Sequence, residues 1–129
     1  MNAVLRGLIG LVGLFNLILG LGFLFTPART AAPFFLTADN IQGLATLRAD
    51  FSGFFILAAA CAFYGAWKQY AAPLLVPMAL FSIAILGRSI GLVLDGVTST
   101  AFTPMIVEAV MIAILLTGWR SYNSASSAD

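Results

Sequence analysis

Residues 73–95 read PLLVPMALFSIAILGRSIGLVLD. Up to Leu94 the run is apolar on every side except at Ser82, Ser89 and one charge, Arg88. A helix buried against a soluble core shows one apolar stripe, whereas a helix apolar all round is buried on every side, as in a bilayer. The run also reaches the roughly 20 residues needed to cross about 30 Å of hydrocarbon. It is therefore read as a membrane helix, and the rest of the chain follows that reading.

Three further segments have the same character. The first runs from about Ala3 to Phe25. The second is apolar from Phe51 to Trp67, with a helical pattern that starts near Asp39 or Asn40 and has Thr37 and Asp39 as caps. The last runs from Phe102 to Trp119. The spacing predicts an all-α, integral membrane four-helix bundle of up-down topology. Residues 1–120 form its transmembrane domain, and the Ser/Ala-rich stretch 121–129 is expected to be a disordered polar tail. Pro77, inside the third helix, predicts a kink. The first segment is read as a membrane helix rather than a signal peptide. Its leading region carries only Arg6, and the run from Gly7 is longer than the usual signal core, although small residues follow at Ala28, Ala31 and Ala32.

Composition supports this. Of 129 residues, 61% are hydrophobic and 9% charged, where soluble domains carry about 25% charged residues. Mean hydropathy is +1.04. A net charge of +1 gives no electrostatic footprint for nucleic acid. Histidine is absent and Cys61 is the only cysteine, so an intrachain disulfide, a thiolate metal cluster and haem ligation by histidine are excluded. No cofactor is expected.

The connections set the orientation. Thr26 to Ala38 is the long one, with Pro27 and Pro33 ahead of Phe34, Phe35 and Leu36. It is either a short interfacial segment whose apolar triplet dips toward the headgroups or a plain linker. Lys68 to Ala71 is tight, and Asp95 to Ala101 carries Gly96 and a Thr/Ser turn cluster. Arg6, Lys68 and Arg120 share one side with Trp67, Tyr70, Trp119 and Tyr122, and Arg29 lies on the other. The positive-inside rule then places both termini in the cytoplasm.

Six basic and five acidic residues are present, and Arg48, Asp50, Arg88, Asp95 and Glu108 fall within or beside the apolar spans. A charge at the centre of a bilayer costs about 2.5–3.5 kcal/mol on insertion scales, so each needs a partner, water or a role. Up-down topology gathers all five at the end of the bundle away from the termini. Arg88 and Glu108 lie deepest, and Arg88 is expected to pair with Glu108 or Asp50 in bidentate geometry. Arg48 and Asp95, near helix ends, can instead snorkel to the interface. On the first helix Gly10, Gly13, Asn16 or Leu17, and Gly20 recur at helical spacing, a face for close packing with Asn16 as an internal hydrogen-bonding group. Gly87 and Gly91 repeat that pattern beside Arg88.

At these residues the chain resembles the small four-helix membrane proteins of the domain of unknown function 4345 family, allied to the DoxX and DoxD group. The segments that carry the resemblance are Leu47-Arg48-Ala49-Asp50-Phe51-Ser52-Gly53, Gly87-Arg88-Ser89-Ile90-Gly91 through Asp95-Gly96, Glu108, and the turn Phe25-Thr26-Pro27. Where the family pattern resembles Arg-Ala-x-Tyr-Gly-Gly, Phe51 and Ser52 stand here, so any role for that tyrosine hydroxyl would fall to Ser52. The resemblance implies a four-helix membrane protein without established chemistry, with the bacterial inner membrane as its expected location. Relatives in the DoxD group are associated with quinone-linked oxidoreductases and some members carry names referring to phage infection, but neither association reaches a residue here.

Three functions remain open at this point. The first is a non-enzymatic binding or accessory subunit whose intramembrane polar pocket takes a lipid, a quinone or a partner helix, within a larger membrane complex or a homo-oligomer. The second is an enzyme acting on an amphipathic substrate with Asp50 or Glu108 as acid/base. The third is a small proton-coupled transporter using its buried carboxylates.

Overall fold

A computed structural model describes residues 2–128, and all of its regular elements are helical. Helix α1 spans Asn2–Phe25. A short helix α2, Pro27–Ala31, and a 3-10 turn, Ala32–Phe34, follow. Helix α3, Ile41–Thr46, runs through a π-helical turn at Leu47–Phe51 into α4, Ser52–Lys68. A 3-10 turn at Ala72–Leu74 leads into α5, Leu75–Leu94, and α6 spans Phe102–Ala128. Four helical stretches, of 23, 28, 23 and 27 residues, are long and apolar enough to cross a membrane. Each helix packs on its neighbour in the chain and α6 returns to α1, which closes an up-down bundle.

The tightest seam joins α1 to α4, and glycine makes it possible. A Cβ placed on Gly20 would lie 2.6 Å from Ile56 Cγ1 and 3.1 Å from the Ile56 backbone nitrogen, and one on Gly13 would lie 2.8 Å from Phe63 Cε1. The expected small-residue face is thus used at Gly13 and Gly20. A Cβ on Gly10 or on Gly87 would meet nothing within 4 Å. Helix α5 is the least covered. Only 11% of its span is buried within the protein, so Ile83, Leu86, Ile90 and Val93 turn outward, as a lipid-facing helix permits.

Ile9, Leu74, Phe81 and Leu115 fill the centre of the bundle. A second cluster forms beneath the α1–α3 connector. Phe23 there stacks on Phe55 at 5.7 Å and on Phe51 at 5.0 Å, while Phe34 leans onto Phe23 from above. The apolar triplet therefore splits: Phe34 and Leu36 fold inward over the bundle, and Phe35 stays exposed with a left-handed φ of 60°. The connector is a cap built on the bundle rather than a plain linker.

Several local expectations are corrected. Asn40 caps α3 by accepting from Gly43 N at 2.9 Å, in place of Thr37 or Asp39. Pro77 is the third residue of α5, within the first turn, where no helical bond awaits its missing N–H. It marks the start of the helix instead of kinking its interior. The stretch expected as a disordered tail is helical from Ser121 to Ala128, because Tyr122 is buried against the core and anchors the last turns; Asp129 lies outside the described residues.

Candidate functional site

Arg88 stands on α5 and Glu108 on α6, and these two helices pack side by side. Arg88 Nε donates to both carboxylate oxygens, to Oε1 at 3.1 Å and to Oε2 at 3.3 Å. The bond is a single nitrogen shared by two oxygens, not the two-nitrogen fork that a bidentate pair would make. The terminal nitrogens of Arg88 make no hydrogen bond to protein among the described residues. The two partners differ in access, with the Glu108 side chain 11% exposed and that of Arg88 37%.

Glu108 continues inward through its own helix. Met111, one turn along α6, receives a contact from Asn16 Nδ2 on α1 at 3.4 Å, and the same amide donates to Val12 O at 2.8 Å. Asn16 is fully buried and its Oδ1 has no partner among the described residues. Asn16 thus ties α1 to α6 one layer beneath the ion pair.

The pair forms one wall of a cavity of about 530 Å³. Phe15 and Leu19 of α1, Phe54 and Phe55 of α4, and Phe81 of α5 make the apolar walls. Pro33, Phe34 and Phe35 of the connector roof one side, and Thr98, Thr100 and Thr103 border the other. Arg88 and Glu108 are the only charged residues that line it among the described residues. A cavity of this size, mostly apolar with few polar groups, has the form of a small-molecule site.

The remaining charges lie elsewhere. Arg48 lies level with the last turn of α1, which ends at Phe25. Arg48 Nη1 donates to the carbonyl of Leu24, holding the last turn of α1, and Asp50 is exposed. Asp95 is exposed at the end of α5. Arg88 and Glu108, each about 9 Å inside its helix end by rise per residue, lie deeper. Of the six residues singled out, the structure joins Arg88 to Glu108, sets Asn16 beneath them, and leaves Arg48, Asp50 and Asp95 outside the cavity. Ser52 Oγ donates to the carbonyl of Arg48, in the π-turn that precedes α4. No group of three or more His, Cys, Asp or Glu residues comes together among the described residues.

The aromatic walls have a weaker mark in the sequence than the charges do. Phe81 and Arg88 are seven apart, two turns along one face of α5, and Met111 follows Glu108 by one turn. Those spacings are the signal that places an apolar floor under the charges.

Fold and site together define a small all-helical membrane protein with one charged pair set into the wall of an apolar cavity. The chain belongs to the family described as Domain of unknown function (DUF4345), whose model matches residues 4–119. No curated protein and no solved structure matches it.

Proposed function

We propose that the protein is a membrane-embedded binding module or accessory subunit that holds an amphipathic small molecule, a lipid or a quinone, in the cavity beside Arg88 and Glu108. One observation carries this: among the described residues, an apolar cavity of about 530 Å³ has its only charged groups on one wall, and the guanidinium there has donors left without a partner. A bare structural lock between two helices would need no such space. In this reading the location is the bacterial inner membrane with both termini cytoplasmic, so the cavity lies in the outer leaflet and the connector caps it from the far side.

Native mass spectrometry of protein released from nanodiscs tests the proposal. A small molecule that remains bound, and is lost when Val107→Trp fills the cavity wall, is the expected result. An unliganded protein whose thermal stability is unchanged by added lipids and quinones contradicts it.

A further inference from the structure

We infer that the cavity selects an uncharged amphiphile whose head is a hydrogen-bond acceptor, such as the carbonyl of a glyceride ester or of a quinone, and rejects anionic headgroups. The inference rests on the binding role proposed above and specifies its ligand class.

Charge balance is the first argument. Among the described residues, Arg88 and Glu108 are the only charged ones lining the cavity, and they neutralise each other. An anion placed between them would either leave the site with a net negative charge within the apolar span or displace Glu108 from Arg88. Displacement strands a carboxylate that is 11% exposed, and burying an unpaired charge is strongly unfavourable. A cationic head would compete with Arg88 for Glu108 and strand the guanidinium instead.

Donor supply is the second. Because Nε alone serves both oxygens of Glu108, the terminal nitrogens of Arg88 remain available while the ion pair stays intact. Guanidinium has donors and no acceptor, so what it lacks is an acceptor. A neutral carbonyl supplies one without altering the charge of the site.

The walls are the third. Phe54, Phe55 and Phe81 offer apolar surface to the body of the ligand. Thr98, Thr100 and Thr103 line the cavity on the loop side and add uncharged polar side chains there, those of Thr98 and Thr100 hydrogen-bonded to each other at 3.4 Å.

Photolabelling of the wild-type protein in phosphatidylcholine nanodiscs separates the cases. The probes are a diazirine-bearing monoacylglycerol, its phosphorylated counterpart with the same acyl chain, and a diazirine-bearing isoprenoid quinone, with labelled peptides mapped by mass spectrometry. The phosphate monoester carries a charge of about −1.5 to −2 near neutral pH. Expected is labelling of the cavity-lining peptides by at least one neutral probe, with apparent affinity at least about tenfold above that of the phosphate. The stronger of the two neutral probes then identifies the source of the carbonyl. Equal or stronger labelling by the phosphate overturns the inference and leaves the cavity as a ligand site. Absence of cavity labelling by all three overturns both the inference and the binding role.

Discussion

Arg88 holds both oxygens of Glu108 through Nε alone, at 3.1 and 3.3 Å, and so joins α5 to α6 within the apolar span. Removing one partner leaves the other charge without its counter-ion. In water-soluble proteins, breaking a buried pair costs about 3–5 kcal/mol. In membranes, hydrogen-bond couplings average nearer about 0.6 kcal/mol. The half-open Arg88 favours the lower figure. Arg88→Met and Glu108→Met are each expected to lower Tm in nanodiscs, and the double variant to lose less than the sum of the two losses. Strict additivity would mean that the pair contributes no coupling.

Glycine on α1 gives a test of the packing that is independent of charge. Gly20→Ala would force its Cβ against Ile56, including the backbone nitrogen at 3.1 Å, and overpacking of this kind costs about 1–3 kcal/mol. Gly10→Ala meets nothing within 4 Å and is expected to be neutral or slightly stabilising. Thermal unfolding of the two variants side by side should separate them by several degrees.

Asn16 offers a charge-selective probe of the layer below the pair. Asn16→Asp keeps the shape, places a carboxylate in a fully buried position, and replaces a donor to Val12 O and Met111 with an acceptor. Asn16→Leu removes both contacts, but it also removes the unpartnered Oδ1. The leucine variant is therefore expected to change stability by under about 1 kcal/mol, and the aspartate variant to lose distinctly more. The comparison is read from thermal melts at neutral pH.

Arg48 separates a role at the boundary from one at the site. Its guanidinium holds the Leu24 carbonyl at the end of α1 and does not line the cavity. Arg48→Ala is expected to cost about 1 kcal/mol in stability and to leave ligand retention in native mass spectrometry unchanged.

Much of this architecture is legible in the chain because bilayer thickness is a hard constraint. Residues 73–95 and the other apolar runs declare their helices by length and by the scarcity of charge. Alternation of direction then brings Arg88 and Glu108 to the same end. What the sequence does not display is local and steric. Asn40 is chosen as cap over Thr37 and Asp39 by the geometry of its own turn. Tyr122 carries α6 through a stretch whose composition alone reads as tail. The cavity was hidden for a further reason: a pattern of apolar residues marks which faces are buried, but not where buried side chains leave space. Phe54, Phe55 and Phe81 read as core, and only their packing around Arg88 reveals an opening. Arg48 sits beside the end of α1 and Asp95 closes α5, whereas Arg88 and Glu108 lie about 9 Å inside their helix ends, which keeps them apart.

A density map of the protein in native-lipid nanodiscs, resolved well enough to place side chains around Arg88, tests the central claim most directly. Expected is elongated density between Phe54, Phe55 and Phe81, ending in a polar group within about 3 Å of a terminal nitrogen of Arg88, with Glu108 still on Nε. A cavity closed by inward movement of these phenylalanines, with no density beside Arg88, would contradict the binding role and leave the ion pair as a lock between two helices.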